Sequence, residues 1–388
     1  MSLIDHLSPP ARNAPESQIV AMLNYGRDRE GLIPLWVGEG DRPTPDFISR
    51  AASQGLENGE TFYTWQRGIP PLREALASYY ERHFGGSHDP ETFFVTGSGM
   101  QSIVLAVTAV CPPGSEVVYA TPSWPNISAA LAISGSTPVS VPLEFGETGW
   151  TLDTQRIADA VTPKTRAIFL NTPSNPCAWV ASRENLDDIL DIARRHGLWI
   201  IADEIYSRFY YAGHRAPSFL DVADADDRII FVNSFSKNWS MTGWRVGWIK
   251  ASAELGQVFE NLIQYSTSGV AQFMQRGCVA ALEEGEDYVE DQKARARSAR
   301  DALCDALLAT NRVRMVRPEG SFYAFFAIDG LEDTARAGYR IIDEANVGLS
   351  PGTGFGPGGE QFFRACFLRR QDQVEEAAGR LAEFISGI

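Results

Sequence analysis

The chain has 388 residues, 44% of them hydrophobic and 21% charged, a composition typical of a globular enzyme with room for two domains. Its formal net charge of −15 argues against a nucleic-acid partner, because binding to phosphates needs a basic surface. Five scattered cysteines without a C-x-x-C pair, no N-terminal signal pattern and no long apolar run predict a soluble cytoplasmic protein with reduced thiols, no bound metal and no membrane partner.

The first 33 residues are polar and contain several prolines, which is typical of an arm, with a helix predicted over 16–29. The following stretch, IPLWVGEGDRPTPDFI, is interrupted by Gly38 and Gly40 and by two prolines. These residues predict a loop where another group approaches the backbone closely. The loop could line a site, and a plain crossover between domains fits the same pattern.

An aromatic cluster, Phe62, Tyr63 and Trp65, precedes a helix predicted to run from the Gly68–Pro71 turn to about Phe84. Such a cluster either contacts a partner or packs into the protein's own core.

From Phe93 the pattern changes to strand, small-residue turn and helix. FFVTGSG leads into an amphipathic helix, so Ser98, Gly99 and Met100 lie at a helix N-terminus, where free N–H groups can bind phosphate. A purely structural turn fits equally well. The turn is not a dinucleotide fingerprint because Ser102 occupies the position of the third glycine, which disfavours a nicotinamide oxidoreductase.

The alternation of strands and helices continues to residue 235. Strands are predicted at 116–120, 137–143, 166–171, 198–204 and 228–235, and helices at 126–134, 154–160 and 182–196. The last helix has Ser182 as its N-cap and Gly197 as its stop. Because the strands are continuous apolar runs, we expect an α/β fold whose mostly parallel sheet is covered by helices on both faces.

In such a sheet, ligands bind at the carboxyl ends of the strands. The residues at or just beyond those ends are chemically varied: Trp124, Asn175, Asp203 with Tyr206, and Ser234 with Lys237. Each alone has an ordinary structural explanation, as a cap or a core residue. Together they predict one site.

Lys237 is one of only four lysines and lies in NSFSKNWSMTGWRVGW, an apolar and aromatic stretch. A desolvated lysine can lose its proton and form a Schiff base with a carbonyl, which arginine cannot do. Ser234 and Ser236 before it and Arg245 after it could hold a phosphate. A strand-end lysine that extends its ammonium to solvent is the alternative.

After Trp248 the pattern is helical, with helices predicted at 254–266, 270–284 and 286–310. Strands at 321–328 and 361–368 and helices at 333–345 and 371–385 predict a smaller α+β domain. We therefore divide the chain into an arm (1–33), a large domain (34–280) and a small domain (281–388). Arg364, in the apolar alternation FFRACF, either pairs within the core or holds a ligand carboxylate.

These residue types together meet the needs of pyridoxal 5'-phosphate: an amine nucleophile, a carboxylate for the pyridine nitrogen, a phosphate cradle, an aromatic plane and donors to the phenolic oxygen. The candidates, in that order, are Lys237; Asp203; Ser98, Gly99, Met100, Ser234, Ser236 and Arg245; Trp124; and Asn175 with Tyr206.

Several motifs resemble those of class I/II aminotransferases of fold type I, the aspartate aminotransferase superfamily: YTWQRGIPPLREALA, TGSGMQSI, PSWPN, NTPSNP, ADEIYSRF, SFSKNWSMTGWRVGW and PGTGFGPGGEQFFRACF. The resemblance implies that Lys237 carries the cofactor and that Asp203 pairs with its ring nitrogen. It also implies that Asn175 and Tyr206 contact the phenolic oxygen.

The same resemblance implies that Arg364 binds the substrate α-carboxylate and that Gly38 belongs to the substrate-side loop. It implies that Tyr63 reaches the phosphate of a neighbouring subunit in a homodimer with shared active sites.

Two positions depart from the usual family pattern. NPCAW stands where NPTG is usual, and Trp124 stands where many relatives have tyrosine. The predicted reaction is transfer of an amino group between an amino acid (aspartate, an aromatic one or a broad range) and a 2-oxo acid such as 2-oxoglutarate.

A pyridoxal-dependent β-lyase acting on cysteine conjugates is the alternative, because WVGEGDRPTP is loosely similar to that group. A pyridoxal-binding transcription regulator is not expected, since only a short arm precedes Pro34.

Overall fold

A seven-stranded sheet forms the centre of the protein in a computed structural model that describes residues 2–388. The strand order across the sheet is Phe93–Thr96, Gly247–Lys250, Ile229–Ser234, Trp199–Asp203, Thr165–Asn171, Glu116–Thr121 and Thr137–Pro142. All neighbouring pairs are parallel except the two made by Gly247–Lys250, which is antiparallel to both of its neighbours. The predicted mostly parallel sheet is therefore confirmed.

The antiparallel strand Gly247–Lys250 was not predicted from the sequence, which placed three helices directly after Trp248. Four residues are too few to establish a period, and this strand is buried along most of its length rather than alternating. Its place in the sheet depends on pairing with Phe93–Thr96, about 150 residues earlier in the chain.

The strands are apolar on both faces because helices cover both faces of the sheet. In Ile229–Ser234, Ile229 and Phe231 contribute to one hydrophobic cluster, while Ile230 and Val232 contribute to another. The first cluster includes the inner face of helix Arg183–His196, and the second includes that of Gly99–Val110. Alternation along the strand thus separates two buried layers.

Most α-helices follow the predicted positions with small shifts at their ends, but Pro9–Arg12, Asp46–Glu57 and Phe235–Asn238 were not predicted. Their bounds are Pro9–Arg12, Gln18–Gly26, Asp46–Glu57, Pro70–Phe84, Gly99–Val110, Pro125–Ile133, Thr154–Asp159, Arg183–His196, Phe235–Asn238, Gly256–Gln264, Gln272–Glu284, Glu286–Ala309, Thr334–Ala345 and Gln371–Ser386.

A four-stranded antiparallel sheet lies in the C-terminal part of the chain, in the order Val313–Arg314, Tyr323–Ile328, Phe363–Cys366 and Ser350–Pro351. Helices Glu286–Ala309, Thr334–Ala345 and Gln371–Ser386 share one hydrophobic cluster with it. Two further two-stranded pairs are Ile33–Pro34 with Val347–Gly348 and Glu144–Gly146 with Gly149–Thr151. The division at residues 33 and 280 stays a prediction.

The N-terminal helix Gln18–Gly26 packs against this C-terminal unit. The phenol of Tyr25 donates a hydrogen bond to Asp343 Oδ1 at 3.1 Å, and Arg29 pairs with the same carboxylate at 2.6 Å. The arm is therefore attached to the last third of the chain. Within residues 2–388, no helix combines the length and the apolar character needed to cross a membrane.

Helix Arg183–His196 begins and ends as its sequence predicts. The Ser182 hydroxyl accepts a hydrogen bond from the Asn185 amide at 3.1 Å, and the Asn185 side chain accepts one from the Ser182 amide at 3.1 Å. Gly197 ends the helix in the left-handed conformation with φ of 64°. Local sequence therefore sets both ends of this helix.

We expect Ser182→Ala to lower the free energy of unfolding by about 1 kcal/mol, because the substitution leaves an N-terminal amide without its acceptor. Urea denaturation of the cofactor-free protein measures the change. Ser298→Ala is the matched control, since Ser298 is exposed inside helix Glu286–Ala309 and caps nothing. Equal stabilities of the two variants would contradict the capping role.

Candidate active site

A cavity of about 560 Å³ opens at the carboxyl edge of the central sheet. It brings together twelve residues that the sequence singled out: Gly38, Gly99, Met100, Trp124, Asn175, Asp203, Tyr206, Ser234, Ser236, Lys237, Arg245 and Arg364. Two others do not line it: Ser98 is buried, next to Gly99, and Tyr63 is on the surface.

Lys237 projects into this cavity from the short helix Phe235–Asn238, which follows strand Ile229–Ser234. Its Nζ donates a hydrogen bond to the Gly38 carbonyl at 2.7 Å, and no carboxylate within residues 2–388 forms an ion pair with it. Desolvation lowers the pKa of Lys237 from 10.5 to about 8. At pH 7, roughly a tenth of the molecules therefore carry Lys237 as the neutral, nucleophilic amine, far more than for an unperturbed lysine.

Asp203 ends strand Trp199–Asp203 and is 4% exposed. Burial raises its pKa from 3.8 to about 7, while the Ile205 amide, donating at 3.3 Å, and the nearby Lys237 offset part of that rise. Across the described chain its carboxylate accepts only that one hydrogen bond. A buried carboxylate with so few donors is poised to receive a cationic N–H.

The N-terminus of helix Gly99–Val110 forms one end of the cavity, where Gly99 and Met100 lie. Ser98 is the N-cap, and its hydroxyl accepts from the Gln101 amide at 3.0 Å. Ser98 therefore contributes to the helix start rather than to the cavity surface. The helix end packs closely against the sheet at Gly247. A Cβ at this position would lie 2.6 Å from the Gly99 nitrogen, so only glycine permits the close approach.

Hydroxyl and guanidinium groups surround that helix end. The Ser234 hydroxyl donates to Ser236 Oγ at 2.9 Å, and both serines line the cavity. Arg245 reaches the same space from a left-handed backbone position with φ of 54°, a conformation that costs energy for a residue other than glycine. Free helix amides, two hydroxyls and a guanidinium together suit a phosphate group.

Arg364 is 2% exposed and lacks a carboxylate partner within residues 2–388. Its guanidinium donates to Asn175 Oδ1 at 2.9 Å and to the Trp36 carbonyl, while its Nε is buried without an acceptor. Its charge is thus uncompensated in the cavity wall. Because buried charges are normally paired, this arrangement favours a ligand carboxylate over the alternative of a paired core arginine.

Tyr206 lies three residues beyond Asp203 and is buried. Its hydroxyl is 2.8 Å from that of Tyr323, a residue of the C-terminal sheet that the sequence did not single out. Burial raises the pKa of both phenols, so both are protonated at neutral pH.

Gly38 packs against the same tyrosine, since a Cβ on Gly38 would lie 2.4 Å from the Tyr323 hydroxyl. Glycine is therefore required for the loop to approach the cavity this closely. Trp124, the residue before helix Pro125–Ile133, also lines the cavity.

Tyr63 is 93% exposed and does not line this cavity. Phe62 and Trp65 beside it are also exposed, at 83% and 62%. Within one chain, therefore, the aromatic cluster is not part of the core, and its contact with a partner stays a prediction.

Other residues of the cavity were missed in the sequence. Asn171 ends its strand, accepts a hydrogen bond from the Asn175 amide at 2.8 Å and donates to the Asp203 carbonyl at 3.1 Å. The strand-end rule could have identified it. By contrast, Ile19, Val20 and Leu23 of the N-terminal helix line the cavity through long-range packing, for which the local sequence carries no signal.

Outside this cavity, His83, His214 and Glu286 are close enough together to hold a metal ion. Arg208 already occupies that position: it donates to both carboxylate oxygens of Glu286 and, at 3.1 Å, to His83 Nε2. We therefore interpret the group as an arginine-centred network.

Comparison with known proteins gives consistent results. A family model described as aminotransferase class I and II matches residues 30–381. The aromatic-amino-acid aminotransferase 2 of Thermococcus litoralis is 31% identical over 95% of both chains, and the aspartate aminotransferase of Thermotoga maritima is 31% identical over 96% of this chain and 95% of its own.

A solved structure of the Thermus thermophilus aspartate aminotransferase with maleate superimposes with a TM-score of 0.90 at 31% identity, covering 97% of this chain and 99% of that one. The β-lyase alternative is not favoured, because the matching family model and these relatives are aminotransferases. The chain belongs to the class I and II aminotransferases and is an enzyme that transfers amino groups.

Proposed function

We propose that the cavity binds pyridoxal 5'-phosphate on Lys237 and exchanges an amino group between an amino acid and a 2-oxo acid such as 2-oxoglutarate. The observation that carries the proposal is that three buried groups line one cavity. They are Lys237, whose pKa is lowered, Asp203, whose carboxylate accepts one hydrogen bond, and Arg364, which has no carboxylate partner in the described chain. Membership of a generally pyridoxal-dependent family supports it.

The donor set fits this cofactor at each of its functional groups. The phosphate would bind at the N-terminus of helix Gly99–Val110, with Ser234, Ser236 and Arg245 around it. Asp203 would face the pyridine nitrogen, and Trp124 would lie against the ring. Asn175 and Tyr206 would contact the phenolic oxygen. The cofactor supplies an electron sink for the bond broken at the substrate α-carbon.

Asp203 would keep a proton on the ring nitrogen by presenting an anion to it. Burial makes the isolated carboxylate unfavourable, and a cationic N–H beside it would relieve that penalty. The same burial that raises the pKa of Asp203 in the free protein therefore strengthens its preference for a positively charged partner.

Lys237 would move the proton at the substrate α-carbon. Its neutral amine is available near pH 8, where its pKa lies, so it can accept the proton and return it without a large energetic mismatch. The Gly38 carbonyl, 2.7 Å from Nζ, holds the amine beside the substrate-side loop.

Arg364 would bind the α-carboxylate of the amino acid through a planar pair of N–H donors. Asn175, already hydrogen-bonded to Arg364 at 2.9 Å, would fix the orientation of the guanidinium. The charge that lacks a partner in the described chain would then be neutralised only when substrate is present.

The substrates we propose are aspartate, aromatic or a broad range of amino acids, in amino acid metabolism and biosynthesis. The relatives' names include aspartate, aromatic-amino-acid and aspartate/prephenate aminotransferases. The solved Thermus relative is with maleate, a dicarboxylate, which supports a dicarboxylic acceptor such as 2-oxoglutarate.

We also propose that the enzyme is a cytoplasmic homodimer with shared sites, in which Tyr63 reaches the phosphate of the partner's cofactor. The support is the 93% exposure of Tyr63 within a patch of exposed aromatic residues. Such patches usually mark interfaces.

Lys237→Ala is expected to abolish turnover and the visible absorbance of lysine-bound cofactor, because no other amine replaces Nζ. Lys250→Ala is the matched control, since burial also lowers the pKa of Lys250 but it lies outside the cavity. Absorbance spectra and a coupled assay with 2-oxoglutarate measure both effects. Normal activity in Lys237→Ala would refute the proposed function.

Asp203→Asn should stabilise the cofactor-free protein above pH 7 while weakening its function. Between pH 3.8 and about 7 the folded state holds a proton on Asp203 that the unfolded state has lost, so stability falls as pH rises through this range. Asparagine removes this fall, and the expected gain in unfolding free energy at pH 8 is roughly 2 to 4 kcal/mol.

Glu204→Gln is the control for this prediction. Burial also raises the pKa of Glu204 to about 7, but its carboxylate accepts hydrogen bonds from Ser218 and Phe219 outside the cavity. Urea denaturation at pH 5 and pH 8 should give a reduced pH dependence in both variants. Only Asp203→Asn should lose cofactor affinity, and equal losses in both would remove the role proposed for Asp203.

Shared sites predict complementation between two defective chains. Tyr63→Ala should bind cofactor weakly and Lys237→Ala should be inactive, yet a mixed dimer would contain one site in which both residues are intact. Activity after subunit exchange should exceed the sum of the separate variants. A simple sum, or a monomer in sedimentation, would contradict the proposed sharing.

A further inference from the structure

Tyr323 connects three parts of the cavity that come from distant parts of the chain. Its hydroxyl is 2.8 Å from that of Tyr206, and its ring lies 4.7 Å from the guanidinium carbon of Arg364. The hydroxyl also lies where a Cβ on Gly38 would be 2.4 Å away, and Gly38 in turn accepts the hydrogen bond of Lys237. Tyr323 thus contacts Tyr206 and Arg364 and borders Gly38.

The pair of phenols has a definite proton arrangement once Tyr206 serves a ligand. A phenol carries one proton and can also accept. If the Tyr206 hydroxyl donates its hydrogen bond to the phenolic oxygen of the cofactor, it must accept the hydrogen bond that joins the two tyrosines. Tyr323 is then the donor of that bond. A donor that itself accepts a hydrogen bond is polarised and donates more strongly.

The aromatic face of Tyr323 acts on a second group. The guanidinium carbon of Arg364 lies 4.7 Å from the ring centre of Tyr323 and 4.9 Å from that of Phe355, and its charge has no carboxylate partner in the described residues. Contact with two aromatic rings restricts the guanidinium group and stabilises its charge. Ring and hydroxyl therefore have separable effects.

We infer that Tyr323 is a positioning residue, whose hydroxyl directs the proton of Tyr206 toward the cofactor and whose ring orients Arg364 for the substrate carboxylate. This inference rests on the proposed function, because it assumes pyridoxal 5'-phosphate beside Tyr206.

The test uses Tyr323→Phe, which keeps the ring and removes the hydroxyl, and Tyr323→Leu, which removes both. Tyr211→Phe is the matched control: Tyr211 is buried in the same hydrophobic cluster, donates to the Ser321 carbonyl at 2.7 Å and has Arg300 at 4.5 Å from its ring, but lies outside the cavity. Each protein is reconstituted with pyridoxal 5'-phosphate, and the absorbance of the bound cofactor is titrated against pH.

Tyr323→Phe should raise the midpoint of that titration by about 0.5 to 1 pH unit. Without the hydrogen bond from Tyr323, the Tyr206 hydroxyl is a weaker donor and stabilises the anionic phenolic oxygen of the cofactor less. With an amino acid and 2-oxoglutarate, kcat should fall about 3- to 10-fold while KM changes less than about twofold. Tyr323→Leu should show the same shift and also raise KM for the amino acid about tenfold, because Arg364 loses one of its two aromatic contacts. Tyr211→Phe should alter neither midpoint nor KM.

A Tyr323→Phe titration that coincides with the unsubstituted protein's would overturn the proton arrangement, and an unchanged KM in Tyr323→Leu would overturn the orientation of Arg364. Absence of any cofactor band in the unsubstituted protein is a different result, which refutes the proposed function and the inference with it.

Discussion

Burial of opposite charges in one cavity is the constraint on which the rest of the site depends. Desolvation acts on Lys237 and Asp203 in opposite directions, lowering the pKa of the first to about 8 and raising that of the second to about 7. Neither group is held by a strong counterion within the described chain. Burial destabilises the charged form of both side chains near neutral pH. A ligand that supplies complementary charges relieves this desolvation penalty and therefore binds more tightly.

The sheet makes this burial possible and also keeps it precise. Asp203 is directly paired with Asn171 on one side and Val232 on the other, so its backbone is fixed by ladders in the middle of the sheet. Lys237 lies three residues after Ser234, the last residue of the neighbouring strand. Groups placed at the ends of central strands have little freedom to separate, which preserves the short distances that their mutual influence requires.

Much of this arrangement could be predicted from the sequence, for identifiable reasons. Continuous apolar strands separated by amphipathic helices predict a parallel sheet, and the binding of ligands at the carboxyl ends of such strands selects Asp203, Asn175 and Lys237 for one site. Tyr323 could not be found this way, because it begins a strand in another sheet and reaches Tyr206 across 117 positions of sequence. Strand Gly247–Lys250 escaped for a related reason, since its partners, not its own four residues, decide its conformation.

The walls of the cavity come from distant parts of the chain. Its floor is formed by strand ends of the large sheet, whereas the helix Gln18–Gly26 on the outer wall is bound to the C-terminal unit through Asp343 and, by Gln18, through Thr353 at 2.5 Å. Through Ile19, Val20 and Leu23 this helix gives the cavity an apolar wall opposite its charged and polar strand ends. The contacts with Asp343 and Thr353 therefore act on the cavity from outside it, because they hold that apolar wall in place.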